Sequence, residues 1–268
     1  MTTLSEPSAT AQKHSEQLSL LIQERIALAG GWLDFSSFMQ LALYAPGLGY
    51  YSAGRQKFSQ MQKDGGDFVT APEMTSLFGR TIAQQMAQIF QAMRGDLLEL
   101  GAGTGKLAAD LLLALADLDC LPQQYLILEV SDHLRQVQLE TLQAILPAAL
   151  LERVQWLHAL PAAFEGVILA NEVLDAVPVH LVHATEQGLL ERGVAWRDGL
   201  FWQDKVLEET HLLGSAEQQN LPSGYLTEFS PAATALVSSL ALSLHRGAII
   251  LIDYGFSARE YYHSQRNQ

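Results

Sequence analysis

The sequence predicts an α/β protein whose core is a doubly wound, mostly parallel sheet. Two observations predict this class. Apolar strand-like runs alternate with helical runs through the middle of the chain, and the strand-like runs are apolar nearly throughout, as in strands covered on both faces. With 268 residues, 49% of them hydrophobic, the chain is long enough for one large core. The predicted core strands are 96–103, 124–131, 153–159, 166–173 and 248–255.

The N-terminal part of the chain is predicted to be helical, because apolar residues recur there with helical spacing and the runs end at glycine or begin at capping residues. Its segments are a disordered tail (1–16), a helix (16–29) that stops at Gly30-Gly31, and a second helix capped by Asp34 or Ser36. A glycine- and tyrosine-rich loop follows, and a third helix is predicted over 75–93.

The length of that loop, about thirty residues, is typical of a functional or mobile segment. We interpret it as a lid that closes over a ligand, with Asp67, Thr70 and Glu73 as candidate substrate or lid residues. The alternative is that Pro72 and Glu73 merely begin the third helix. We therefore divide the chain into residues 1–74, the N-terminal helices and lid loop, and residues 75–268, the core.

The core helices are predicted over 106–118, 132–145 and 231–245. Residues 177–202 interrupt the alternation of strand and helix. Alternating apolar and polar residues, with turn signals at EQG and RDG, predict an inserted antiparallel meander there. The whole insertion is expected to span about 177–224.

Composition excludes several classes of protein. Acidic residues outnumber basic ones 29 to 16, giving a net charge of −13, and no basic cluster indicates nucleic-acid binding. A single cysteine, Cys120, excludes an intrachain disulfide and fits a reducing compartment. The histidines and this cysteine show no metal-ligand spacing, so no metal is expected. No apolar run is long enough to span a membrane, and we expect a soluble, cytoplasmic protein.

A glycine-rich segment, LLELGAGTGKLAADLL (97–112), joins the first core strand to its helix. It fails as a phosphate-binding P-loop, because that motif needs a glycine where Leu100 stands and a hydroxyl where Leu107 stands. It also fits the dinucleotide fingerprint poorly, because the final glycine of that pattern is replaced by Lys106.

An acid followed by alternating glycines fits the segment better. Glycines let a sharp strand-to-helix turn pass close to a ligand, and an acid before them can receive the ammonium group of S-adenosylmethionine. A second acid, Glu129, ends the next strand and is placed to accept the hydroxyls of an unphosphorylated ribose. The alternative is an ordinary glycine-rich turn. The candidate cofactor residues are Glu99, Gly101, Gly103, Gly105 and Glu129.

The fourth core strand ends in a second group of polar residues. Asn171, Glu172 and Asp175 are candidate catalytic residues, because the carboxyl ends of parallel strands form the ligand crevice. Their alternative interpretation is a helix cap with acids in the first turn. Asp253 and Tyr254 end the fifth strand near the same crevice. His180 and His183 lie on the meander with no evident partner, and we assign them no catalytic role.

Five segments together resemble the MidA-type S-adenosylmethionine-dependent methyltransferases, over residues from about Ile22 to Arg266. They are the glycine-rich segment, GLGYY (47–51), GDFVTAPE (66–73), NEVLDAVP (171–178) and LIDYGF (251–256). This family includes the mitochondrial complex I assembly factor that is a protein arginine methyltransferase. The resemblance implies a Rossmann-like class I methyltransferase fold with S-adenosyl-L-methionine as cofactor. It also implies a protein substrate that presents an arginine, in the mitochondrial relatives a respiratory complex I subunit.

Carboxylates bind a guanidinium bidentately, so Glu172 and Asp175 suit such a substrate. The chain departs from the family in one respect. Class I methyltransferases have sheets of seven strands, and we count five, so the C-terminal strands are expected to be missing. Two alternatives therefore stay open: an inactive assembly or scaffold protein that retains the fold, and a methyltransferase that acts on a small molecule. The oligomeric state is not predicted.

Overall fold

The computed structural model describes residues 9–52, 70–208, 212, 219, 221–263 and 265. Asp67 therefore lies outside the described residues. The strands are β1 (Trp32–Asp34), β2 (Asp96–Leu100), β3 (Tyr125–Leu128), β4 (Val154–Leu157), β5 (Phe164–Asn171), β6 (His180–Thr185), β7 (Gly188–Trp196), β8 (Leu200–Val206), β9 (Leu226–Phe229) and β10 (Leu244–Ile252). The helices are α1 (Ala9–Leu28), α2 (Phe35–Tyr44), α3 (Ala71–Met74), α4 (Ser76–Ala92), α5 (Lys106–Asp117), α6 (Asp132–Ile145), α7 (Ala148–Leu151), α8 (Pro231–Ser243) and α9 (Ala258–Tyr261).

The chain forms two compact units, and both are discontinuous in sequence. One unit comprises Met1–Lys57, Ala176–Thr234 and Gly255–Gln268, and the other comprises Phe58–Asp175 and Ala235–Tyr254. We expected a division at residue 74, between the N-terminal helices with the lid loop and the core. That division stays a prediction.

The second unit contains the predicted parallel sheet. Its strand order is β10-β5-β2-β3-β4, and every pairing is parallel, which confirms the predicted fold class. Neighbouring residues of β2 point to opposite faces of the sheet: Leu97 packs in a cluster with Met86 and Leu111, whereas Leu98 packs with Leu240. Helices α4, α5 and α6 therefore cover one face and α8 covers the other, as a doubly wound sheet requires.

The first unit contains a five-stranded antiparallel sheet. The meander was predicted correctly as β6, β7 and β8, but β1 and β9 were not predicted. β7 is the central strand: β8 pairs along one edge, and β6 and β1 share the other. Helices α1 and α2 pack on this sheet, with Ile22, Ile26 and Val194 at the contact.

Two details of this unit differ from expectation, and a third, the cap of α2, confirms one of the two predicted capping residues. Residues from Ala9 onward are helical, so the tail expected over 1–16 is ordered in its second half. Asp34 caps α2, with its Oδ1 accepting a hydrogen bond from Ser37 N at 2.8 Å. Both meander histidines, on β6, have carboxylate partners on other strands of the sheet. His180 lies 2.7 Å from Glu191 of β7, and His183 lies 2.7 Å from Asp204 of β8. These partners were not predicted because they are 11 and 21 residues away along the chain.

Asp34, His180 and Glu191 bring potential metal-ligand atoms within 4.8 Å of one another, and the expectation of no metal stays a prediction. None of the described helices combines the length and the apolarity needed to cross a membrane.

Candidate functional site

The candidate site lies where the strand order of the parallel sheet reverses. From β2 the chain continues outward through β3 and β4, whereas β5 and β10 lie on the other side of β2. Ligands of doubly wound sheets bind at the carboxyl ends of the strands at such a point. The glycine-rich turn follows β2 directly, and Asn171 ends β5 in register with Ile252 of β10. All of these residues belong to one compact unit.

The turn after β2 needs its three glycines for different reasons. Gly101, Gly103 and Gly105 have φ values of +60°, +54° and +85°, a region that side chains disfavour. A Cβ on Gly103 would have no atom within 4 Å, so this part of the turn faces open space. A Cβ on Gly105 would lie 3.1 Å from Gln138 Cα, so that glycine permits helix α6 to pack against the turn.

Lys106 does not behave as a phosphate-binding lysine. Gly105 caps α5, and the Nζ of Lys106 forms an ion pair with Asp110 one turn further along the same helix. The contact agrees with the rejection of a P-loop.

Glu99 lies buried beneath the turn, with 2% of its surface exposed. Its Oε2 accepts a hydrogen bond from Tyr125 Oη at 2.6 Å. Burial raises the pKa of Glu99 to about 7, and the nearby charge of Glu129 adds to the rise, while the bond from Tyr125 opposes it. The carboxyl group therefore changes charge near neutral pH. Its proposed contact with a ligand ammonium stays a prediction.

Glu129 follows β3 and is held on both carboxylate oxygens. Oε1 accepts a hydrogen bond from Ser131 N at 2.9 Å, and Oε2 accepts one from Gln138 Nε2 at 3.1 Å. Burial raises the pKa of Glu129, and these hydrogen bonds together with the charge of Arg135 oppose the rise. Val130, the next residue after Glu129, is an exposed apolar side chain.

The turn after β5 is fixed by β10. Glu172 N donates to Ile252 O at 2.8 Å, and Asp253 Oδ2 accepts from Leu174 N at 2.8 Å and from Asp175 N at 3.2 Å. Glu172 has a φ of +50°, a strained conformation for a side chain other than glycine. No helix begins at this turn, so the alternative of a helix cap is wrong.

Two acceptors in this turn are buried without a hydrogen-bond donor among the described residues: Asn171 Oδ1 and Glu172 Oε2. Burial raises the pKa of Glu172, and the charges of Asp175 and Asp253 raise it further, although a hydrogen bond with Tyr254 opposes them. A Cβ on Gly101 would lie 3.3 Å from Val173 Cγ2, so this turn adjoins the glycine turn.

Of the loop candidates, the structure describes Thr70 and Glu73, and Glu73 contacts the site. Thr104 Oγ1, in the glycine turn, donates to Glu73 Oε1. Thr70 precedes α3, and its side chain makes no capping hydrogen bond. Pro72 and Glu73 lie in α3, a single turn separate from α4, so they do not begin the long helix as the alternative held.

Three residues of the site were not predicted: Tyr125, Arg135 and Gln138. Arg135 Nε donates to Glu129 O at 2.8 Å, and its other nitrogens reach the end of β4. Gln138 had a signal in the sequence, because it lies between Leu134 and Leu142 on the buried stripe of α6. A polar residue at a core position of a helix indicates a specific partner.

These features define a nucleoside-binding protein of the doubly wound class. The glycine turn leaves open space at Gly103, and beyond it stands a carboxylate, Glu129, whose oxygens are held in place. This arrangement fits a cofactor that combines a ribose with a compact charged group.

The chain belongs to the family of S-adenosyl-L-methionine-dependent methyltransferases, whose profile matches residues 81–268. S-adenosylmethionine is its cofactor. A crystal structure from Burkholderia thailandensis bound to S-adenosyl-homocysteine is 44% identical, with a TM-score of 0.91, and the match covers 99% of this chain and 69% of that one. The predicted family, fold class and cofactor are thereby confirmed.

Two mitochondrial relatives carry a more specific name, protein arginine methyltransferase. The NDUFAF7 homolog of Caenorhabditis elegans is 27% identical, over 98% of this chain and 67% of the relative. NDUFAF7 of Danio rerio is 28% identical, over 85% of this chain and 60% of the relative. The chain thus spans about two thirds of the length of these relatives or less.

Proposed function

We propose that the chain is a methyltransferase whose acceptor is an arginine side chain of a protein. The observation that carries the proposal is the pair of buried acceptor atoms, Asn171 Oδ1 and Glu172 Oε2, which have no donor among the described residues. The hydrogen bond with Tyr254 therefore leaves the Glu172 carboxyl group with unused acceptor capacity. A buried acceptor without a donor is costly, and a ligand that brings N–H groups removes that cost.

The charge of the turn favours a cationic ligand. Asp175 and Asp253 both raise the pKa of Glu172, which means that negative charge accumulates beside it. A guanidinium presents five N–H donors in a planar fork and keeps its positive charge at all ordinary pH values. It therefore matches both the acceptors and the charge. The names of the two mitochondrial relatives support the same substrate class.

S-adenosylmethionine, when bound, supplies an electrophilic methyl group. The residues of this chain orient the acceptor nitrogen and hold its charge elsewhere on the guanidinium, because carboxylates draw positive charge toward the nitrogens they bind. Glu172, with its raised pKa, is suited to take the proton that the methylated nitrogen loses.

The experiment incubates the chain with methyl-labelled S-adenosylmethionine and a protein extract, then separates the hydrolysed amino acids. We expect label in methylarginine. Glu172→Gln should reduce the label at least about tenfold, because the charged acceptor is lost. Glu186→Gln, an exposed acid in the turn between β6 and β7, is the matched control and should label normally.

Label in another amino acid, or only in the small-molecule fraction, would contradict the arginine assignment. Complete absence of label with retained cofactor binding would instead favour a scaffold protein.

A further inference from the structure

Gln138 is a fully buried amide in the middle of α6. The buried positions of this helix are Leu134, Gln138 and Leu142, one turn apart. A leucine at the central position would extend the apolar stripe, whereas an amide must find hydrogen-bond partners for all of its polar atoms.

The side chain of Gln138 bonds to three separate elements. Nε2 donates to Gly103 O in the glycine turn and to Glu129 Oε2 after β3, both at 3.1 Å. Oε1 accepts a hydrogen bond from Trp156 Nε1 of β4 at 2.9 Å. An indole N–H is only a donor, so Trp156 dictates which end of the amide faces the turn and Glu129.

We propose that Gln138 is a positioning residue for S-adenosylmethionine: its amide holds the carboxylate of Glu129 and the carbonyl of Gly103 at a fixed separation and thereby sets the affinity for the ribose. This inference rests on the role in ribose binding that we predict for Glu129. Trp156 is the residue that keeps the amide in the required orientation.

No other described side chain is placed to take over the role of Gln138. Ser131 N already occupies the other oxygen of Glu129, so Gln138 is the described side chain that fixes Oε2. The backbone of Gln138 packs closely on Gly105, where an added Cβ would lie 3.1 Å from Gln138 Cα. Loss of the amide frees the carboxylate to rotate while leaving the packing of the helix in place.

Two variants and a control separate the effect of the Gln138 hydrogen bonds from the effect of its packing. Gln138→Met keeps the length of the side chain but removes both hydrogen-bonding ends. Trp156→Phe keeps an aromatic ring in β4 but removes the donor that orients the amide. Gln136→Met is the control: Gln136 lies on the exposed face of the same helix and makes a Gln–Glu hydrogen bond of 2.8 Å to Glu140.

Calorimetry on the full chain measures the affinity for S-adenosylhomocysteine and for its 2′-deoxyribose analogue. We expect Gln138→Met to weaken binding of S-adenosylhomocysteine about tenfold to a hundredfold, which is the range for a lost hydrogen bond to a charged group. For the 2′-deoxy analogue, the fold-loss of affinity caused by Gln138→Met should be smaller by a factor of about three or more. The analogue lacks a ribose hydroxyl, so part of the contact with Glu129 is already missing in the wild type. Trp156→Phe should shift both affinities in the same direction by less, and Gln136→Met should change neither.

An unchanged affinity in Gln138→Met, or an equal loss for both ligands, would overturn the inference. Denaturant unfolding of each variant shows whether the fold is retained, and Trp156→Phe gives the second reading if Gln138→Met is unstable. If the wild type binds both ligands equally well, the ribose role of Glu129 is wrong and the inference fails with it. The methylarginine assay does not depend on this outcome, so failure of the proposed substrate is recognised separately.

Discussion

The two buried acids of the site differ in how their charge is controlled. Among the described residues, Tyr125 donates a hydrogen bond to Glu99, and burial raises the pKa of Glu99 to about 7. Glu129 receives bonds on both oxygens and lies near the charge of Arg135. Burial raises the pKa of both acids, but at Glu129 the hydrogen bonds and the charge of Arg135 oppose the rise, whereas at Glu99 only the bond from Tyr125 does.

This difference predicts a pH dependence of cofactor binding. Binding of an ammonium group favours ionised Glu99, so below its pKa of about 7 the cofactor must displace a proton. The affinity for S-adenosylmethionine should therefore rise with pH between about 6 and 8, by up to about tenfold per unit at the acid end. Calorimetry across this range measures the effect.

Two variants check the assignment of that pH dependence to Glu99. Tyr125→Phe removes the bond that lowers the pKa of Glu99, so the rise should move to higher pH. Glu99→Gln should abolish it. An affinity that stays flat with pH in the wild type would contradict the predicted contact between Glu99 and the ammonium group.

Gly103 and Gly105 should respond differently to alanine. At Gly105 the new Cβ would meet the backbone of Gln138, at 3.1 Å from Cα, so Gly105→Ala should destabilise the fold by about 2 kcal/mol or more. At Gly103 the space is open, so Gly103→Ala should cost only about 1 kcal/mol of backbone strain and act mainly on cofactor affinity. Denaturant unfolding and calorimetry measure the two effects, and the reverse ranking of stability would be inconsistent with this packing.

A sequence reveals those site residues whose partners lie close to them along the chain. The glycines and Glu129 were predictable because a strand, a tight turn and a helix leave a short pattern. Tyr125 and Gln138 were not, because their partners come from other elements and the pairing depends on the three-dimensional packing. The strain at Glu172 has no sequence signature either.

At the scale of elements, the length and the apolar character of each segment decided what was predictable. All five core strands and the long core helices were found, with ends displaced by up to a few residues, because apolar runs are clear but hydrogen bonding sets the boundaries. β1 has three residues, too few for an alternating pattern. β9 is as long as β3 and β4, but its sequence, LTEF, has two polar residues at its centre and no apolar run. Both are strands only because β7 and β6 offer them an edge.

Helix α8 provides a matched test of the packing below the sheet. Leu240 is fully buried against Leu98 and Ile168, whereas Leu242, two residues on, is 81% exposed. Leu240→Ala should lower the free energy of unfolding by about 2–5 kcal/mol, and Leu242→Ala by less than about 0.5 kcal/mol. Urea denaturation monitored by circular dichroism measures both. Similar losses for the two variants would show that α8 does not pack as described.

At the scale of the whole molecule, the chain passes four times between its two units. A single domain boundary in the sequence cannot describe this arrangement, because the antiparallel sheet takes β1 from before β2 and its other strands from after β5. The predicted meander accounts for β6, β7 and β8 of that sheet, and β1 and β9 were not predicted. The candidate cofactor residues, in contrast, all fall within one unit, where the topology of a parallel sheet gathers the carboxyl ends of its strands.

The central claim is that this unit binds S-adenosylmethionine across the glycine turn, with Glu129 on the ribose. A crystal structure of the chain with S-adenosylhomocysteine tests it most directly. We expect the ligand over Gly101–Gly105, with a ribose hydroxyl at about 2.7 Å from a carboxylate oxygen of Glu129. A ligand bound elsewhere in the unit, or a ribose out of reach of Glu129, would contradict the account.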